Sequence, residues 1–92
     1  MNITVEYTAQ IKRAAGTARE SVEVPDGATV ADVLRQAADG RDDSFRRHVL
    51  TGDSTPQPTL LIFVADEQVR ADSAEPLADG TTVTLLAPIS GG

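Results

Sequence analysis

Few residues of this sequence could take part in a reaction, and the last two are the most informative. The chain closes Leu85-Leu86-Ala87-Pro88-Ile89-Ser90-Gly91-Gly92. With Gly92 last, its carboxylate is the only chemically distinct group on that stretch. Pro88 has no N–H to offer a ladder, so it should end any strand that leads into it. Gly91 and Gly92 lack a Cβ and can enter narrow spaces closed to other residues. Residues 88–92 are therefore expected to be extended and mobile, a poor structural element but a suitable probe for a partner's slot. The same residues also read as a frayed end that happens to hold two glycines.

The remaining candidates are weaker. Cysteine is absent, which removes disulfides, thiolate metal sites and a thiol nucleophile, and fits a reducing, cytoplasmic setting. His48 is the only histidine and stands beside Arg46 and Arg47 without the partners that catalysis or metal binding needs. Asp39, Asp42 and Asp43 lack the spacing of a calcium loop, so they read as a solvated turn and no metal site is expected. Lys12, Arg13 and Arg19 read as a small solvated basic group. No glycine-rich phosphate loop and no Ser-His-Asp set is present.

Length and charge narrow the classes further. Ninety-two residues suit one domain with a modest core, expected to span 1–92. A net charge of −6, with Lys12 as the single lysine, argues against nucleic acid or an anionic membrane as partner. No apolar run reaches membrane-spanning length, and the first residues do not resemble a signal peptide.

The elements that must position the terminal stretch follow from periodicity. Ile3, Val5 and Tyr7 alternate with polar residues, which predicts a strand over 2–8 with one buried face. Residues 10–18 read as a connection, and Val22 and Val24 give a second strand, so the pair forms an antiparallel hairpin. Thr29 and Asp32 open a helix near 30–39 with a capping-box pattern. Its apolar stripe is Val30, Val33, Leu34, Ala37 and Ala38, and Gly40 stands where a helix-ending glycine belongs. Asp43 or Ser44 caps a shorter helical turn through Phe45, Val49 and Leu50, and residues 51–59 form an exposed loop. Leu60 to Ala65 reads as a buried strand, Asp66-Glu67-Gln68 as a turn, Val69 as part of a short edge strand, and 81–86 as the last strand.

One helix stripe must cover one sheet face, which gives a two-layer α+β domain with a mixed sheet. The first and last strands then pair in parallel at its centre, the β-grasp arrangement of ubiquitin. The other sheet face has no cover from this chain. Most of its positions are polar, but parity leaves Leu61, Phe63 and Leu86 outward, whereas Leu60, Ile62, Val64, Val83 and Leu85 face in. An apolar group on a polar face points to a contact surface. Cover by the loop 51–59, or a register shifted by one, would instead make it core.

Read together, these parts resemble the ThiS/MoaD sulfur-carrier proteins of the β-grasp fold. The resemblance covers essentially the whole chain. It rests on Ala9-Gln10-Ile11-Lys12 with Gly16, Thr29-Val30-Ala31-Asp32-Val33-Leu34, Ile62-Phe63-Val64 before an acidic turn, and Leu77-x-Asp79-Gly80. The terminal Pro88-Ile89-Ser90-Gly91-Gly92 is its most specific element. Within that family the chain looks most like the small subunit of molybdopterin synthase. It departs from the common pattern at Ala65, where members often have Asn, and at Ala87-Pro88, where many have Pro-Pro.

The resemblance implies that a ubiquitin-activating-type adenylyltransferase uses ATP to adenylate the Gly92 carboxylate. Sulfur then replaces the adenylate, and the thiocarboxylate serves a sulfur-accepting enzyme such as the molybdopterin synthase large subunit. Gly91 would give passage into the partner's site. The carrier would need no bound cofactor, no metal and no acid or base of its own. Molybdopterin biosynthesis is the first pathway implied. A carrier for cysteine or thiamine-thiazole synthesis, a ubiquitin-like protein modifier and a plain binding module are the other readings.

Overall fold

The computed structural model describes residues 1–87. The expectations for 88–92, including Gly91 and Gly92, lie outside the described residues. The elements in chain order are β1 (Asn2–Tyr7), α1 (Ala9–Ala15), β2 (Arg19–Glu23), α2 (Val30–Ala38), α3 (Asp43–Val49), β3 (Leu61–Val64), β4 (Glu67–Val69) and β5 (Thr82–Leu86). The five strands form one mixed sheet in the order β2-β1-β5-β3-β4. β1 and β5 are parallel at its centre, with Val5 opposite Val83 and Tyr7 opposite Leu85. β1–β2, β3–β4 and β3–β5 are antiparallel.

Alternation decides which side of each strand is core. Ile3, Val5, Ile62, Val83 and Leu85 have no exposed surface, and they join the α2 stripe Val30, Val33, Leu34, Ala37 and Ala38 in one cluster with Phe45 and Val49 of α3. The Asp32 carboxylate closes the first turn of α2, accepting from the Thr29 N–H at 3.0 Å and the Thr29 hydroxyl at 3.2 Å. Gly40, at φ +78°, takes the left-handed conformation that lets the chain turn after α2.

Four expectations need correction. Residues 10–18 are not a plain connection: α1 occupies Ala9–Ala15. Its apolar side is short, with Ile11 buried and Ala14 and Ala15 packed against the core, too few positions to stand out as periodicity. The shorter helix is a full element capped by Asp42, not by Asp43 or Ser44, because the Asp42 carboxylate accepts from the Phe45 N–H at 3.1 Å. The turn after β3 lies at Ala65-Asp66, so Glu67 and Gln68 belong to β4. Val64 has the inward parity but is half-buried, since it ends β3 beside that turn. Residues 51–59 are the expected exposed loop, held at its base where Gln57 Nε2 donates to the Arg47 and Leu50 carbonyls at 3.0 Å each and Leu50 bridges to Pro56.

Candidate functional site

The outward positions of β3 and β5 meet on the sheet face that no helix covers. Leu61 opens β3 and Leu86 closes β5, and the antiparallel register sets them directly opposite one another. Two residues along, Phe63 stands between Thr84 on β5 and Gln68 on β4. Leu86 is 36% exposed, while Leu61 and Phe63 are half-buried, although neither joins the core cluster. Parity thus brings Leu61, Phe63 and Leu86 together on one face. Loop 51–59 leaves Leu86 open to solvent.

Beside this apolar end runs a polar row that sequence reasoning missed. Thr84, Glu6 and Arg19 occupy successive cross-strand positions on β5, β1 and β2. The Thr84 hydroxyl donates to Glu6 Oε1 at 3.2 Å, and Arg19 Nη2 donates to Glu6 Oε2 at 2.6 Å. The expected basic group of Lys12, Arg13 and Arg19 is therefore divided. Lys12 and Arg13 lie in the last turn of α1, and Arg19 is paired on the open sheet face. Only strand register could have revealed the row, because its three members lie 13 and 78 positions from one another along the chain at Glu6.

A second polar group lies on the covered face. Tyr7, 3% exposed, donates its hydroxyl hydrogen to Glu20, which also accepts from Arg41. Arg41 donates further to the carbonyls of Ala15 at 2.7 Å and Ala37 at 3.1 Å, and lies 4.7 Å from the Phe45 ring centroid. One guanidinium thus serves the C-terminal ends of α1 and α2 and both neighbouring aromatics. Burial, reinforced by the Glu20 carboxylate, pushes the Tyr7 hydroxyl well above the ordinary phenol value. Every polar atom here is occupied within the fold, so the group is a joint between elements.

The weaker candidates also find places. Asp42 caps α3, Asp39 follows α2, and Asp43 begins α3. His48 Nδ1 lies 2.6 Å from the Ser44 carbonyl of its own helix. Among the described residues no group of three or more His, Cys, Asp or Glu is placed to hold a metal ion. No helix of the described chain is long and apolar enough to cross a membrane. The arrangement presents an apolar end flanked by a satisfied polar row where β5 stops.

Comparison with known proteins bears on this geometry. The molybdopterin synthase sulfur carrier subunit of Chlamydomonas reinhardtii is 33% identical over 94 residues, covering 100% of both chains. SAMP1 from Haloferax volcanii, 23% identical, superposes with a TM-score of 0.86 and full coverage of both chains, which shows a shared fold. A chain of the Amycolatopsis orientalis BexX/CysO complex is 28% identical with a TM-score of 0.65, covering 98% of this chain and 99% of that one. The parallel central pair, the α2 stripe crossing behind it and the open face in front are the β-grasp architecture. Residues 5–92 match the ThiS family, and the chain belongs to it.

Proposed function

We propose that this protein is a sulfur carrier in molybdopterin biosynthesis whose reacting group is the Gly92 carboxylate. A carboxylate is a poor electrophile, and the family chemistry removes that obstacle in two steps. The carboxylate oxygen attacks the α-phosphorus of ATP on a ubiquitin-activating-type adenylyltransferase, forming an acyl adenylate and releasing pyrophosphate. Sulfide-level sulfur, HS⁻, then attacks the acyl carbon, the carbon–oxygen bond to AMP breaks, and loss of the sulfur-bound proton leaves a thiocarboxylate in which sulfur replaces one oxygen. The molybdopterin synthase large subunit takes that sulfur. ATP belongs to the activating enzyme, and the carrier contributes docking and reach.

The observation that supports this most is the family match, which runs through Gly92. The docking role falls to Leu61, Phe63 and Leu86. β5 ends at Leu86, so the six residues 87–92 can extend at most about 20 Å from the sheet. That reach takes an acyl carbon into a pocket while the domain stays outside, and Gly91 keeps the last step of the passage narrow. The test is ATP–pyrophosphate exchange with the adenylyltransferase of the same organism. Deleting Gly92 should abolish exchange, because the carboxylate then sits about 3.5 Å from its required place. Intact mass of the protein from its native cell should show one oxygen replaced by sulfur. Normal exchange by the deleted form rejects the carrier reading, and covalent adducts through lysines of other proteins would make the chain a modifier.

A further inference from the structure

Thr8 stands where three elements meet. It follows the last residue of β1 and precedes the first residue of α1, and its hydroxyl donates to the Leu85 carbonyl of β5 at 3.0 Å. In the parallel β1–β5 ladder the Thr4 N–H donates to the Thr81 carbonyl at 3.0 Å, and donors recur at every second residue. The rung after Glu6 therefore falls on Thr8 and the Leu85 carbonyl. By then β1 has ended, Ala9 turns the chain at a φ of +48°, and a side chain makes the bond in place of the backbone. The hydroxyl forgoes another use. Thr8 is the N-cap residue of α1, a place where threonine is favoured because its oxygen accepts from the first free N–H groups. No such side-chain bond forms at α1, so the hydroxyl serves the end of β5 rather than the start of its own helix. On the opposite edge of β5, Leu86 pairs with Leu61. The last two residues of β5 are thus held from both sides, Leu85 by Thr8 and Leu86 by β3.

We infer that Thr8 is a positioning residue for the Gly92 carboxylate: its bond to Leu85 sets the direction in which the chain leaves the sheet. The inference rests on the carrier reading above. In that reading Leu61, Phe63 and Leu86 seat the domain, and residues 87–92 must enter a pocket whose mouth is fixed relative to them. At full extension those six residues span about 20 Å, so a pivot of about 10° where β5 stops shifts the carboxylate by about 3.5 Å. A shift of that size exceeds what a reacting group tolerates. Pairing with β3 alone would leave the end of β5 held on one side, free to hinge about the Leu61–Leu86 pair. The Thr8 hydroxyl closes that hinge from the β1 side. Its bond supplies aim rather than affinity, because Leu86 keeps its place opposite Leu61 without it.

Thr8→Val removes the donor and keeps the shape, and valine suits the extended backbone there, with φ −127° and ψ 155°. Thr8→Ser keeps the donor. Melting of Thr8→Val should fall by no more than about 8 °C, the loss of one hydrogen bond. Amide hydrogen exchange at Leu85 and Leu86 should quicken at least fivefold, while Val5 and Val83 stay at the parent rate. In ATP–pyrophosphate exchange with the adenylyltransferase, the maximal rate should fall at least fivefold with the KM for the carrier within twofold of the parent. Thr8→Ser should restore both the maximal rate and the amide protection. Should Thr8→Val unfold, Thr8→Ala, which removes the donor without adding bulk, decides by the same readings. Unchanged amide exchange at Leu85 and Leu86, an unchanged maximal rate, or a Thr8→Ser variant as slow as Thr8→Val overturns the inference and leaves the carrier reading standing. Failure of the carrier reading itself shows separately, as pyrophosphate exchange that survives removal of Gly92.

Discussion

The two faces of the sheet differ by one residue along every strand. On the covered face Ile3, Val5, Ile62, Val83 and Leu85 are sealed, and even the polar atoms of Tyr7, Glu20 and Arg41 find partners inside the fold. On the open face Thr4, Glu6, Phe63 and Thr84 are half-buried, and Leu86 is exposed. A single-residue slip in register would exchange the two sets. The comparison teaches that alternation encodes two different requirements at once. One set must match the volume behind it; the other must stay soluble while offering an apolar end at β3 and β5.

Neighbouring residues on β3 give the sharpest way to break this distinction. Ile62→Asp places an unpaired carboxylate where nothing is exposed, a cost of several kcal/mol against a total stability of about 5–15 kcal/mol. We expect it to unfold the domain. Phe63→Asp should cost only about 1 kcal/mol and leave the circular-dichroism spectrum unchanged, yet weaken partner binding at least tenfold. If Phe63→Asp melts the chain as Ile62→Asp does, the open face is core and the distinction fails.

The polar joint on the covered face gives the next largest effect. Glu20→Gln removes the carboxylate that Arg41 and Tyr7 share, and should cost about 2 kcal/mol in chemical denaturation without affecting partner binding. Tyr7 adds a pH dependence. Folding favours its protonated form, so the native chain holds that proton to higher pH than the unfolded one. Its contribution is complete below the ordinary phenol value of about 10 and is lost as pH rises above it. A Tyr7→Phe variant should show a shallower fall in that alkaline range, and an identical profile would remove Tyr7 from the account.

Much of this was legible in the sequence, and the exceptions share a cause. The Val30–Ala38 stripe and the alternation in β1 and β5 are local patterns of full length, and they located the helix, the core and the open face. α1 was hidden because one buried residue, Ile11, carries most of its packing. The Thr84–Glu6–Arg19 row and the Tyr7–Glu20–Arg41 joint were hidden because their partners meet only through strand register and helix crossing. Asp42 was missed as a cap because three acidic or hydroxyl residues, Asp42, Asp43 and Ser44, compete for that role and only backbone geometry selects among them.

A smaller effect separates local from global order on the covered side. The Thr29 N–H holds the Asp32 carboxyl below the usual carboxylate range, with the Thr29 hydroxyl and Arg35 reinforcing it. Asp32→Ala should cost about 1 kcal/mol by removing the cap of α2. Because the folded form depresses this acid, its contribution is present above about pH 4 and fades as pH falls through the lowered value. The parent and Asp32→Ala stabilities should therefore converge in acid, and a constant difference down to the acid limit would count against the cap.

The smallest effect lies at the turn that belongs to neither face. Val64 ends β3 and Glu67 begins β4, leaving Ala65 and Asp66 as a two-residue turn with φ of +50° and +69°. Positive φ at both positions is the type I′ geometry that fits the twist of a hairpin, and it favours Asn or Gly. For an alanine the left-handed conformation costs about 1–2 kcal/mol, whereas a short polar side chain tolerates it by bonding locally. Ala65→Asn should therefore raise stability by about 0.5–1 kcal/mol, read as a higher denaturant midpoint with an unchanged slope. Ala65→Gly relieves the same strain but loosens the unfolded chain, so it should gain less. Neither change touches Leu61, Phe63 or Leu86, and exchange with the adenylyltransferase should stay at the parent level. A loss of stability in Ala65→Asn would mean that the turn owes its shape to contacts of the alanine methyl, and that the β3–β4 hairpin is held from the covered face after all.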